Sequence, residues 1–247
     1  MTVHPLPLTV HDTPAELGRE TGRRAASIIG EAIERSGRAR VMLAAAPSQS
    51  PTLAELADSD VDFDRVTFFH MDDYLGLAPD APQGFGNWLQ REFFDRLDGH
   101  PTFHRIDAQK FHDEAARDYA EVLGDEPFDL TLCGLGVNAH LAFNDPPADF
   151  DDPHAVRLVQ LDEQSRQQQV DEGHFPTLEA VPATALTVTI PRLLNARHVI
   201  CSVLGRAKRE AVRRTVELDP TPDVPGTALK LHQDAALHVD REAAGDE

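Results

Sequence analysis

Apolar residues Leu17, Ala25, Ile28, Ile29, Ala32 and Ile33 recur at helical spacing along residues 13–36. Thr13-Pro14 ahead of them offers an N-cap oxygen and a proline suited to a first turn. Runs of another kind, short and continuous, occur at Arg40–Ala46, Val66–His70 and Phe128–Cys133. They have the pattern of strands covered on both faces. Further strands are expected near 155–161, 198–204 and 235–239, and an apolar run lies at 185–190. Helices are expected through Leu53, Leu56 and Ala57, over 86–98, 111–123 and 163–170, and onward from Gly205-Arg206-Ala207-Lys208 to about 217. Strands alternating with helices predict an α/β fold: a doubly wound, mostly parallel sheet with helices on both faces.

The 247 residues fit a single domain, 1–247, with no internal repeat or low-complexity linker. The segment 141–185 is rich in Pro and Asp and long enough to act as a lid. In an open α/β sheet, ligands bind beyond the carboxyl ends of the strands. Four expected strand ends carry polar clusters: 47–51, 70–74, 134–145 and 205–208.

Composition narrows the classes of function. A net charge of −19 argues against nucleic acid, whose phosphates need a basic surface. Any anionic substrate must therefore find backbone N–H groups, a helix N-terminus or a few cations that make the field locally positive. No apolar run is long enough to span a bilayer, and the N-terminus lacks the basic and apolar regions of a secretory signal. Cys133 and Cys201 lie in strand-like runs without zinc-site spacing, so they read as buried thiols, and a cytoplasmic location is expected.

The most informative stretch is Leu135–Pro147. Small residues after the 128–133 strand allow a tight turn, and His140 emerges five residues before Asp145, with Asn138 and Asn144 beside it. Ser48-Gln49-Ser50 between a strand and a helix can cradle a phosphate, though the same residues also suit a Ser/Pro turn with a helix cap. The cluster lacks the glycines and lysine of a P-loop. Asp72 and Asp73 behind His70 can transfer protons if one is desolvated, or can cap the next turn or hold a hard cation. Lys208, one of three lysines, stands at a helix start, where a bound anion would relieve its conflict with the helix dipole. His154, His174, His232 and His238 lack comparable neighbours and read as surface or packing residues.

Taken in order, Phe69–Leu77, Gly134–Pro147 and Gly205–Lys208 resemble the glucosamine-6-phosphate deaminase family, over roughly residues 10–240. That family shares its fold with 6-phosphogluconolactonases and, more distantly, ribose-5-phosphate isomerase. The Asp-Asp-Tyr-x-Gly-Leu and His-x-Ala-Phe-Asn-Asp-Pro elements carry the likeness. Leu141-Ala142-Phe143-Asn144 stands where lactonases have a Thr-x-Ser-Leu-Phe-Pro run. The resemblance implies conversion of glucosamine 6-phosphate to fructose 6-phosphate and ammonia, without metal or organic cofactor. Asp72 would then be the base that moves a proton between C2 and C1, and His140 would assist ring opening. Asp145 would belong to the histidine's charge network, while Ser48, Gln49, Ser50, Asp73, Lys208 and Arg166 would contact substrate or its phosphate.

Three departures accompany the likeness. Asn138 replaces an Asp, where its oxygen can still accept the imidazole Nδ1–H; Asp145 replaces a Glu; and the phosphate loop lacks Gly-Gly-Thr, with no evident arginine after the Arg166 segment. Lactone hydrolysis, or a catalytically weak sugar-phosphate sensor, are the alternatives. A small sugar phosphate is the expected partner, nucleic acid and membrane are not, and a homo-oligomer is left open.

Overall fold

The computed structural model describes residues 2–245 except residue 111, and not the side chains of 112 and 113. The start of the 111–123 helix and both termini of the 1–247 domain therefore lie outside the described residues. In chain order the elements are β1 (Leu8–His11), α1 (Pro14–Ser36), β2 (Ala39–Leu43), α2 (Ser50–Ala57), β3 (Val66–His70), β4 (Asp72–Tyr74), α3 (Phe85–Glu92), β5 (Thr102–His104), α4 (His112–Leu123), β6 (Phe128–Cys133), β7 (Val156–Gln160), α5 (Glu163–Asp171), β8 (Thr184–Val188), α6 (Ile190–Leu193), β9 (Ala196–Val203), α7 (Arg209–Glu217), β10 (Ala235–Asp240) and α8 (Arg241–Ala244).

Seven strands form one parallel sheet in the order β1-β10-β9-β6-β2-β3-β5. Both faces are covered, as the continuous apolar runs require. Along β2 and β3, Val41, Leu43 and Phe68 pack on one side with Ile28, Ile29, Leu53 and Leu56. Met42 and Phe69 pack on the other with Leu123 and Leu186. The strand sequence runs outward in opposite directions from the β2–β6 pair, so the crevice between their carboxyl ends is the topological switch point.

Helix α1 begins as expected, with Thr13 Oγ1 accepting the Glu16 N–H. It meets α2 backbone to backbone. A Cβ on Gly18 would come within 2.4 Å of Pro51, and one on Gly22 within 2.5 Å of Glu55. That close contact fixes the start of α2 at the sheet edge where β2 ends.

Two readings of the pattern need correction. The strand expected near 155–161 and the apolar run at 185–190 do not join the parallel sheet. As β7 and β8 they form a separate antiparallel sheet with β4, in the order β4-β8-β7. The helix expected over 86–98 stops at Glu92 and is followed by a single turn at Phe94–Arg96. The sequence pattern does not mark strands β1, β4 and β5. The segment 141–185 holds β7, α5 and a turn at Leu178–Ala180, and β8 begins at its end. No helix among the described residues is long and apolar enough to cross a membrane.

Candidate active site

A cleft of about 370 Å³ opens at the switch point, lined in part by Ser48, Asp72, Gly136, His140, Glu172 and Lys208. It thus draws on all four polar clusters, together with α5.

Asp72 is held on β4 by pairing with Thr187 of β8 and is almost fully buried. Burial, and then the neighbouring Asp73, push its carboxyl well above the usual carboxylate range. Asp73 points elsewhere. Its oxygens accept N–H groups of Tyr74 (2.9 Å), Phe85 (2.9 Å) and Gly86 (3.0 Å), so it caps α3 and does not line the cleft. His70 is fully buried behind them. Its Nε2 accepts the Ile106 N–H at 2.8 Å, and burial pushes its pKa down to about 3, so the ring is neutral.

His140 is delivered by a loop with unusual backbone geometry. Ala139 and Ala142 both have positive φ (67° and 51°), and the Gly136 N–H bonds back to the His140 carbonyl at 3.0 Å. The imidazole lies directly on Gly136, where a Cβ would sit 2.2 Å from ring atoms Cε1 and Nε2. Its Nδ1 lies 3.0 Å from Asp145 Oδ1. A carboxylate only accepts, so Nδ1 carries the proton and Nε2 is left for chemistry.

The same Asp145 oxygen accepts from Ser165 Oγ (2.6 Å) and Asn138 Nδ2 (2.9 Å). Burial raises the Asp145 carboxyl, but the bonds from His140, Asn138 and Ser165 outweigh it and hold the pKa at about 2. Asn138 is therefore not the ring's partner. Its Oδ1 accepts the His140 backbone N–H at 3.1 Å, and its amide donates to Asp145. An aspartate at 138 would face Asp145 as a second carboxylate at that distance; the amide turns repulsion into a hydrogen bond.

The two candidate catalytic side chains are tied together through β8. Thr187, paired with Asp72, accepts the Phe143 N–H on its hydroxyl at 3.1 Å. Asn144 Nδ2 reaches the carbonyls of Leu141 (2.8 Å) and Val188 (2.9 Å).

Ser48, in the turn before α2, and Lys208, in the turn before α7, also line the cleft. Lys208 is buried, which lowers its pKa against the upward pull of Glu172, whose Oε1 lies 3.4 Å from Nζ. Gln49 and Ser50 do not line the cleft. The Gln49 amide instead donates to the carbonyls of Cys133 (3.0 Å) and Ser202 (3.2 Å), pinning the turn to the ends of β6 and β9. Arg166 also lies outside, its guanidinium on the carbonyls of Leu178 (2.6 Å) and Val181 (3.0 Å). Gln49 and Arg166 thus use their donors on backbone carbonyls.

Sequence reasoning missed Ser165 and Thr187, and among the lining residues Trp88, Glu172 and His174. His174, read as surface or packing, lines the cleft with its Nε2 3.7 Å from Glu172. Among the described residues, no group of three or more His, Cys, Asp or Glu could hold a metal ion.

Comparison with known proteins bears on this geometry. The family model for glucosamine-6-phosphate isomerases/6-phosphogluconolactonase matches residues 12–238. The chain is 32% identical over 234 residues to glucosamine-6-phosphate deaminase 1 of Bacillus subtilis, covering 91% of this chain and 94% of that one. A solved structure described as a monomeric glucosamine-6-phosphate deaminase superposes with a TM-score of 0.89 at 28% identity, covering 97% of this chain and 99% of that one. A 6-phosphogluconolactonase from Thermotoga maritima gives 0.78 at 16% identity, covering 95% and 99%, which shows a shared fold alone.

Proposed function

Because the chain belongs to the glucosamine-6-phosphate isomerase/6-phosphogluconolactonase family, a family of sugar-phosphate enzymes, we propose that it isomerises and deaminates glucosamine 6-phosphate to fructose 6-phosphate and ammonia. The observation that carries this reading is the joint presence in one cleft of a buried carboxyl, Asp72, and an imidazole whose Nδ1 is fixed by Asp145. A raised carboxyl is a strong base once ionised, suited to a carbon acid. The oriented imidazole presents Nε2 to move the proton of the ring oxygen.

In this account His140 opens the ring, and Asp72 takes the proton from C2 and returns it to C1. One water enters and one ammonia leaves as the resulting imine becomes the ketose. The phosphate sits against Lys208 and Ser48.

Lactone hydrolysis is the second reading, since the family model spans both activities and the same Nε2 could activate water. Purified protein supplied with glucosamine 6-phosphate should form ketose and ammonia in equal amounts and leave 6-phosphogluconolactone at its background rate. Lactone turnover without ammonia from the amino sugar would reverse the choice.

A further inference from the structure

Lys208 is the one lysine or arginine among the described residues lining the cleft. It is not free. Glu172, at the end of α5, places Oε1 3.4 Å from its Nζ, inside the same cleft. Glu172 is in turn held from behind. Gln168 Nε2 donates to Oε1 at 2.7 Å, and His174 Nε2 lies 3.7 Å from Oε2. Gln168 also accepts the Val137 N–H at 3.1 Å, so the carboxylate is positioned by the loop that carries His140. A protein of net charge −19 thus spends the cation of its cleft on an internal carboxylate.

We infer that Glu172 sets the phosphate affinity of this cleft: its carboxylate occupies Lys208, and a phosphate gains the lysine only by taking the carboxylate's place. The inference rests on the reading of Lys208 as the phosphate contact. Two anions cannot share one partly buried ammonium without mutual repulsion in a low-dielectric setting. Binding is therefore an exchange of partners rather than the filling of a vacant site, and Glu172 determines how strongly a phosphorylated sugar is preferred over its unphosphorylated counterpart.

A double-mutant cycle tests this, with dissociation constants of inorganic phosphate and of glucosamine 6-phosphate measured by calorimetry. Glu172→Gln keeps an oxygen able to accept from Gln168 and Lys208 but removes the charge. It should tighten phosphate binding by about tenfold, as expected for coupling between charges in contact. The gain should vanish when Lys208 is already methionine, and Lys208→Met alone should weaken binding. Circular dichroism melts confirm that each variant is folded.

If Lys208→Met weakens binding but Glu172→Gln does not tighten it, the exchange is wrong and Lys208 remains the phosphate contact. Equal tightening with lysine or methionine at 208 would also overturn the exchange, showing only a general field effect. If Lys208→Met changes nothing, the phosphate end has been misplaced and the inference falls with it.

Discussion

Replacing Asp145 with asparagine removes one charge from the most densely bonded carboxylate of the cleft and leaves its shape unchanged. In the folded chain this carboxyl has a pKa of about 2, against an ordinary value of 3.8. The gap corresponds to about 2 kcal/mol of stabilisation of the ionised form. A depressed folded-state pKa stabilises the fold at every pH above the ordinary carboxylate range, and that contribution is lost as pH falls from about 4 towards 2. For a chain of this length the loss translates to a fall in melting temperature of about 4–8 °C at pH 7. Activity should fall further than stability. The asparagine amide no longer holds the Nδ1 proton through a charge, and comparable changes elsewhere cost ~10²–10⁴ in kcat. The assay is paired: melting temperature of both proteins between pH 3 and 8, and kcat at 25 °C. A melting difference under about 1 °C at pH 7, or one that fails to narrow on acidification, would refute the energetic argument.

Four further outcomes follow from the same geometry. Gly136→Ala places a methyl group 2.2 Å from the His140 ring, so kcat/KM should fall by about 100-fold or more; an unchanged value would show that the ring position is immaterial. Ser165→Ala deletes the 2.6 Å bond to Asp145, so chemical denaturation should show a loss of about 1 kcal/mol and a smaller activity defect than Asp145→Asn. Because Asp72 must be ionised to act as a base and its carboxyl is raised by burial and then by Asp73, the acid limb of kcat against pH should lie above the ordinary carboxylate range. Asp73→Asn should move that limb to lower pH, and a limb that stays in place would remove Asp73 from the electrostatics of the base.

The parts of the fold legible in the chain are those with strong local pattern. Helix α1 carries its cap and apolar stripe in sequence, and the β2, β3 and β6 runs are apolar on both faces because both faces are covered. Strands β4 and β5 span only three residues each. Asp72-Asp73-Tyr74 is extended because Thr187, Leu186 and Ala185 pair with it from more than 100 residues away, and nothing local announces that.

The site divides in the same way. Asp72, His140, Ser48 and Lys208 follow strand ends, so a rule about strand ends finds them. The family likeness points to Asn138 as a partner for the ring, yet the positive φ of Ala139 turns the chain so that Asp145 meets Nδ1 and Asn138 meets the backbone. Ser165, Glu172 and His174 come from or follow α5, a helix polar nearly all round, whose seat over the cleft depends on the β7–β8 pair. Asp73, Gln49 and Arg166 have the right chemistry for substrate but spend it on backbone groups, a distinction only coordinates reveal.

The central claim is that Asp72 moves the C2 proton of an amino-sugar phosphate. It is tested most directly with glucosamine 6-phosphate deuterated at C2, following the label by NMR as ketose and ammonia appear. The label should leave C2 in step with ketose formation in the unaltered protein and stay there with Asp72→Asn, which should still bind the phosphate. Loss of the label at an undiminished rate in Asp72→Asn, or ammonia release with the C2 label intact, would contradict the account.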